Sequence, residues 1–361
     1  MTTERTRLDV EKLINFATKA LQKVGIPEED AKVTAQIMAT AELRGVESHG
    51  FVTLVHQARN VKGGHVNARP KIQVIDEAPS TETIDGDCGL GFVVGHRAMT
   101  DAIRKAEKTG AGFVSVRNSC HFGAAAPYAM MALEHDMIGI AMTNTVVGVV
   151  APGSTKPAVG TNPLAVAAPA GKKPPFVLDM ATSVVAMGKL GIAQREGKSI
   201  PEGWAIDKEG KPLTDPTKRV RGEGGMLPLG GTPTLGSYKG FGLGVLVEIL
   251  CGVLSGSSAS ILWDWEPGVG KGNPPGNHFF GALRIDSFIP VEKFKKSMDD
   301  MIGAMEALPT LPGIRQVYVA GGYEAEIVKD REDNGIPLHA KVIQDLQELA
   351  KELGIEYDFY R

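Results

Sequence analysis

Two histidines lie in settings where an imidazole could move a proton. In Leu43-Arg44-Gly45-Val46-Glu47-Ser48-His49-Gly50 a guanidinium, a hydroxyl and an imidazole fall close together at a break between two helical stretches. Imidazole titrates near neutrality and arginine grips a carboxylate through paired N–H donors, so the trio suits proton transfer to a small keto acid. A plainer role competes, with Ser48 capping the next helix and His49 beside it on the surface. Asn118-Ser119-Cys120-His121-Phe122-Gly123-Ala124-Ala125-Ala126 follows an apolar run and opens a helix with small residues. Ligands of α/β sheets bind where strands end, and small residues at a helix start let backbone amides approach an anion. His121 fits that role and fits a satisfied structural histidine equally well. Cys120 reads as a small core filler.

Three further segments offer binding groups. Gly160-Thr161-Asn162-Pro163 is a turn, and in Asp179-Met180-Ala181-Thr182-Ser183 an aspartate follows a strand and precedes a helix. Asp179 could hold a ribose, orient a histidine, or simply cap the helix. Lys239, in Gly236-Ser237-Tyr238-Lys239-Gly240-Phe241-Gly242, stands just before an apolar helix, where it could meet a phosphate or stay in solvent. Gly89-Leu90-Gly91-Phe92-Val93-Val94-Gly95 has one residue too many for the dinucleotide fingerprint and follows an acidic turn, so a Rossmann site is excluded. No phosphate-binding P-loop, zinc-protease motif or nucleophile elbow occurs.

The elements that must carry these groups alternate. Helical spacing runs from Asp9 to about Leu43, with Pro27 marking a second start. A strand is predicted over Lys71–Ile84, a helix from about Val94 to Thr109, a buried strand over Gly112–Asn118 and a helix through Tyr128 to His135. Further strands are predicted at Ile138–Met142, Leu164–Ala168, Phe176–Asp179 and Ile314–Ala320. Gly191–Gly236 is polar and reads as surface loops; Gly240–Leu254 is an apolar helix, and an amphipathic helix from about Pro337 to Leu353 closes at Gly354. Strand–helix alternation predicts an α/β core.

Bulk composition narrows the function. The 361 residues are 43% hydrophobic and 22% charged, ordinary for a globular chain. A net charge of −3 without a basic run excludes the electrostatic footprint of a nucleic-acid binder. No apolar stretch approaches the roughly 18 residues of a membrane span. The N-terminus is polar and charged, with no export signal, and Cys88, Cys120 and Cys251 are an unpaired set, so a cytoplasmic location is expected. Glycine, at 44 residues, is well above the usual share of about 7%, as many tight turns or close backbone approach to a ligand would require.

In order and spacing, Arg44–Gly50, Asn118–Gly123, Gly160–Pro163, Asp179–Ser183, Lys239–Leu243 and Asn277-His278 resemble the malate/L-lactate dehydrogenase family that lacks a Rossmann fold. The likeness spans nearly the whole chain. It implies an α/β protein on a mixed sheet with a family-specific, non-Rossmann cofactor-binding fold, and helical N- and C-terminal segments packed together. The implied division is a helical part at 1–75 packing with 324–361, and a cofactor-binding and catalytic part at 76–323. The implied reaction is hydride transfer between NADH or NADPH and a small 2-oxo or 2-hydroxy acid: malate and oxaloacetate, a lactate-like pair, or a relative such as sulfopyruvate, ureidoglycolate or a cyclic imino acid. A homodimer is also implied. The resemblance makes either His49 or His121 the acid/base; the strand-end position favours His121. Ser48 would bond the histidine or the substrate, and Arg44 would hold the carboxylate. Cofactor contacts map to His121, Phe122, Gly123, Ala124, Thr145, Asn162, Asp179, Met180, Ala181, Lys239, Gly321, Gly322 and Tyr323.

Two positions depart from the pattern: Thr53 stands where many relatives carry an arginine, and Gly321-Gly322-Tyr323 replaces a Pro-Gly-Glu turn. Two other classes compete. A metal-dependent hydrolase would draw on His49, His56, His65, His121, His135 and carboxylates, but their spacing matches no zinc pattern. A nucleotide-binding regulatory protein would need no pair of histidines beside Arg44.

Overall fold

The computed structural model describes residues 5–218, 224–263 and 276–360. Residues 1–4 of the polar start and 219–223 of the predicted loop region lie outside them. The chain opens with strand β1 (Arg5–Leu8), then α1 (Val10–Lys23), α2 (Glu28–Leu43) and α3 (Leu54–Lys62). Asp9 caps α1 by accepting the Lys12 N–H (2.9 Å). Strands β2 (Gln73–Glu77) and β3 (Thr81–Gly89) lead to α4 (Gly91–Thr109), which ends on Gly110 in the left-handed region, φ +86°. There follow β4 (Ala111–Ser119), α5 (Ala126–Met131), β5 (Met137–Thr143), and short β6 (Val149–Val150) and β7 (Pro157–Val159). Next come β8 (Leu164–Ala168), β9 (Phe176–Met180), α6 (Met187–Glu196), β10 (Ala205–Ile206), β11 (Gly225–Met226) and α7 (Ser237–Val247). The chain finishes with β12 (Gly276–Arg284), α8 (Val291–Glu306), α9 (Gly322–Asn334), β13 (Ile336–His339) and α10 (Ala340–Leu353).

Seven strands form one mixed sheet in the order β2-β3-β4-β12-β5-β8-β9. Only β3 and β4 run parallel; the other neighbours are antiparallel. One consequence fixes the site. The C-terminal ends of β3, β4, β5 and β9 and the starts of β8 and β12 all fall on one edge of the sheet, as the pairs Gly276 with Ser119, His278 with Thr143 and Leu164 with Met180 record. Helices α4 and α5 cover one face, and the segment after α7 covers the other.

The main core runs without a break from Leu13, Phe16 and Leu21 of α1 through Met38 and Phe92 to Val114, Phe280 and Leu346. β1 pairs with β13, and Lys12 meets Asp358 (2.8 Å), so the two chain ends are tied together.

Five expectations need correction. Lys71–Ile84 is not one strand: it turns back on itself after Glu77, where the Ala78 N–H donates to the Thr81 carbonyl (2.9 Å), and gives the antiparallel pair β2 and β3. Ile314–Ala320 is not a strand: Ile314 is exposed, Arg315 and Tyr318 bond Glu326, and only the Ala320 carbonyl, accepting the Val177 N–H (3.0 Å), reaches the sheet. The late strand is β13 instead, whose alternating burial was absorbed into the predicted C-terminal helix. Gly191–Gly236 contains the end of α6 and the short strands β10 and β11. The apolar helix is α-helical to Val247 and then widens into a π-helical turn, Glu248–Val253.

Candidate active site

His49 and His121 meet at the shared sheet edge. Their rings stack with centroids 5.7 Å apart and an interplanar angle of 16°. His49 arrives on the loop between α2 and α3, and Ser48 Oγ bonds His49 Nδ1 (2.7 Å). His121 arrives just past β4, and the Gly123 N–H donates to its Nδ1 (3.3 Å). Gly123 has φ +79°, and a Cβ there would press into the Phe92 ring. Both imidazoles are half-buried. Burial lowers the pKa of His49; burial, then the charges of His49, His56 and His278, hold His121 at about 3.

Several of the other expected residues lie at the same end of the sheet. Asp179, at the end of β9, accepts the Ala126 N–H (2.8 Å), tying β9 to the turn after His121. Burial pushes its carboxyl up to about 6, while the backbone N–H groups of Ala126 and Ala125 and the charge of Arg44 pull the other way. Arg44 is buried, and the charges that face it belong to Glu324 and Asp179. Asn162 is wholly buried: its Oδ1 accepts the Thr145 N–H (2.9 Å), and its Nδ2 donates to the Gly244 carbonyl (3.0 Å) and Glu248 Oε1 (2.8 Å). Thr161 N–H donates to Thr145 Oγ1 (3.0 Å), and Thr182 N–H to the Thr161 carbonyl (2.9 Å), so this turn also braces Met180 and Ala181.

Lys239 and the Gly321–Tyr323 turn stand further out. Lys239 is exposed on the first turn of α7, linked inward because Gly240 packs on Leu229, whose N–H bonds the Thr182 carbonyl (2.9 Å). Gly321, with φ +95°, sits against Pro175 and Val177 at the start of β9. Among the described residues no hydrogen bond, ion pair or ring contact joins Lys239 or Tyr323 to the histidine pair.

The surroundings fit a phosphate-bearing cofactor. Ser237 Oγ, buried at the N-terminus of α7 two residues before Lys239, has no hydrogen-bond partner among the described residues. A helix N-terminus with an unfilled hydroxyl and a cation nearby suits an anion.

A profile of the malate/L-lactate dehydrogenase family matches residues 8–347. The chain belongs to that family. It is 45% identical over 354 residues to the malate dehydrogenase of Pyrococcus horikoshii, covering 97% of this chain and 96% of that one. With the L-sulfolactate dehydrogenase of Methanocaldococcus jannaschii the identity is 38% over 343 residues, 94% of this chain and 95% of that one. The crystal structure of malate dehydrogenase from Entamoeba histolytica matches with a TM-score of 0.94 at 33% identity, over 99% of this chain and 100% of that one. The protein is therefore an oxidoreductase, a nicotinamide-dependent 2-hydroxy acid dehydrogenase on the family's mixed sheet.

Three residues near the candidate site had no assigned role in the dehydrogenase reading of the sequence. Glu248 is buried, has no ion pair among the described residues, and gathers Asn162 Nδ2 (2.8 Å), Asn144 Nδ2 (3.0 Å), the Ser260 N–H (2.8 Å) and the Ser260 hydroxyl. Its signal was available: it is the one charged residue between Gly240 and Leu254. His56, whose charge acts on His121, drew no attention as a neighbour. His278 is buried between Thr143 Oγ1 (2.8 Å) and Ser119 Oγ (2.9 Å) and stacks on Phe122 (4.8 Å), so it is a brace, held near pKa 3 by burial. Among the described residues no three His, Cys, Asp or Glu side chains converge as metal ligands, and no helix is long and apolar enough to cross a membrane.

Proposed function

We propose that the protein interconverts malate and oxaloacetate with NADH or NADPH as hydride partner, using His49 as the proton carrier and His121 as a neutral hydrogen-bond donor to the reacting oxygen. The observation that carries the division of labour is the pair of hydrogen bonds at the two Nδ1 atoms. His121 Nδ1 accepts a backbone N–H, so its neutral ring keeps its proton on Nε2 and can only donate there. His49 Nδ1 faces a hydroxyl, which donates or accepts as required, so that ring can gain and lose a proton at Nε2.

The cofactor, when bound, supplies or takes up the hydride at the 2-carbon. His121 through Ala124, Thr145, Asn162, Asp179 to Ala181, Lys239 and Gly321 to Tyr323 are assigned to holding it. In oxidation His49 takes the hydroxyl proton in its neutral form, which burial favours. In reduction it must first be protonated, and an anionic acid held by Arg44 beside it raises its pKa for that purpose. Malate is preferred among the candidate acids because the 45%-identical relative is a malate dehydrogenase.

Two further properties belong to the same reading. Leu246, Ile249 and Val253 are exposed at helical spacing along α7 and the π-helical turn, a stripe suited to a second copy in a homodimer. A cytoplasmic location accords with three cysteines free of disulfides.

The test offers NADH or NADPH with oxaloacetate, pyruvate, sulfopyruvate and a cyclic imine, with and without chelator, and follows absorbance at 340 nm. Oxaloacetate should give the highest kcat/KM, unchanged by chelator. His49→Asn should lower kcat by about a hundredfold or more and abolish the neutral limb of the pH profile. His121→Asn should lower kcat but keep that limb. No turnover with any acid refutes the reading, and the reverse pattern in the two variants reverses the roles.

A further inference from the structure

One face of α9 is given over to the segment that carries His49. Glu324, Ile327 and Arg331 recur at spacings of three and four residues, which puts them on one side of the helix. Glu324 is a charge partner of Arg44. Ile327 fills the space beside Gly45, whose φ of +81° turns the chain out of α2. Arg331, nearly buried, spans the loop: its Nη1 donates to the Glu42 carbonyl (2.5 Å) and its Nη2 to Glu47 Oε1 (2.8 Å). Arg5 Nη1 bonds the same Glu47 oxygen (2.6 Å). Beyond the histidine, Glu42 Oε1 accepts the Phe51 N–H (3.2 Å), and a Cβ on Gly50 would overlap the Glu42 side chain. Ser48 and His49 are thus pinned between two points, Glu47 and Gly50–Phe51, both tied to Arg331 directly or through Glu42.

The same helix begins at the turn assigned to the cofactor. Glu324 Oε2 accepts the Gly321 N–H (3.1 Å), and the Ala320 carbonyl accepts the Val177 N–H (3.0 Å) beside Asp179. A rigid element therefore joins the cofactor turn at one end to the proton-transfer loop at the other.

We propose that Arg331 is a positioning residue: acting through Glu42 and Glu47, it aims His49 at the substrate without touching it. The proposal rests on the reading of His49 as proton carrier. A contact that only staples the fold would change melting and leave turnover alone; one that sets a reacting geometry changes kcat, since a displacement of about 1 Å can cost about a hundredfold.

The test compares wild type with Arg331→Met, Arg331→Lys and Glu47→Gln, and with Arg7→Met as control. Arg7 docks the same C-terminal end of α9 through Asp330 (2.7 Å) and the Gly335 carbonyl (3.0 Å), so its bonds hold the helix end rather than the loop residues Glu42 and Glu47. Readouts are kcat, the KM of the oxo acid, the pH profile of kcat, NADH affinity by fluorescence, and melting temperature. Arg331→Met should lower kcat by about tenfold or more and move the apparent pKa, with NADH affinity within about twofold of wild type. Arg331→Lys should recover part of the loss, Glu47→Gln should fall between, and Arg7→Met should keep wild-type kcat whatever its melting temperature. Wild-type kcat and pH profile in both Arg331→Met and Glu47→Gln overturn the proposal, as does an equal loss in Arg7→Met. If Arg331→Met does not fold, Glu47→Gln decides. A wild type without turnover overturns the functional reading and this one with it; an active wild type with unaffected variants overturns this one alone.

Discussion

Replacing Glu248 by Gln should weaken both the fold and cofactor binding, by an amount that follows from its four donors. Oε2 accepts Asn144 Nδ2 (3.0 Å) and the Ser260 N–H (2.8 Å); Oε1 accepts Asn162 Nδ2 (2.8 Å) and the Ser260 hydroxyl. A glutamine must put its NH2 in one of these places. On the Oε2 side it would face two groups that can only donate. On the Oε1 side the Ser260 hydroxyl can turn to accept, which leaves only the Asn162 NH2 opposed. Asn162 cannot escape by flipping, because its Oδ1 already accepts the Thr145 N–H (2.9 Å). The cheapest arrangement thus loses the Asn162 hydrogen bond, reverses the Ser260 hydroxyl bond, and weakens the remaining two from charge-assisted to neutral. One buried unsatisfied donor costs about 1–3 kcal/mol, and relief of the buried charge offsets the weakening of the others, so the net is about 2 kcal/mol. Urea unfolding of wild type and Glu248→Gln measures this, and NADH fluorescence should show weaker binding, since the Thr145–Asn162 turn shifts. Stability within about 0.5 kcal/mol of wild type, together with unchanged NADH affinity, would refute the assignment of Glu248 as the anchor of that turn.

Two further outcomes follow from burial. Burial pushes Glu42 up to about 8 from an ordinary 4.5, so the native state holds this proton longer than the unfolded chain does. Its contribution to stability is whole below pH 4.5 and fades as pH rises through about 8. Glu42→Gln removes that slope, and its stability relative to wild type should improve by a few kcal/mol between about pH 5 and pH 8.5 in parallel denaturation curves; curves that stay parallel would count against it. Gly91→Ala should slow turnover and cost about 1–3 kcal/mol, because its Cβ would overlap the Cys120 carbonyl and the backbone of His121. Wild-type kcat in a folded Gly91→Ala protein would show that the His121 backbone yields freely.

The sequence was most legible where one element decides a residue's neighbours. Periodicity located α1, α2, α4 and the strand leading into His121, because each has one buried face with a regular repeat. It failed at Ile314–Ala320, where alternating apolar residues met no partner strand, and at β13, whose four residues run straight into α10. The histidines were legible as chemistry, but their stacking was not, since 72 positions separate His49 from His121. Nor could the sequence show that Arg44 faces Glu324, which lies on a helix near the far end of the chain. Such pairs exist only once β1 and β13 bring the chain ends together.

The mixed sheet also explains why no single glycine-rich fingerprint could be found. In an all-parallel sheet every strand ends on the same edge, so one strand–turn–helix unit can hold a dinucleotide's phosphates. Here the antiparallel neighbours alternate strand ends with strand starts along the edge, and the site must be assembled from both. The groups at this edge differ in exposure. His121 and Thr145, just past strand ends, and Asp179, near the end of β9, stay half-open to solvent, whereas Asn144, directly after β5, is buried. Groups at or before strand starts, Asn162, Asn277 and His278, are wholly buried. On the function proposed above, the half-open set meets cofactor and substrate, while the enclosed Asn162 bonds Thr145 and the enclosed His278 bonds Ser119 and Thr143 at the ends of β4 and β5.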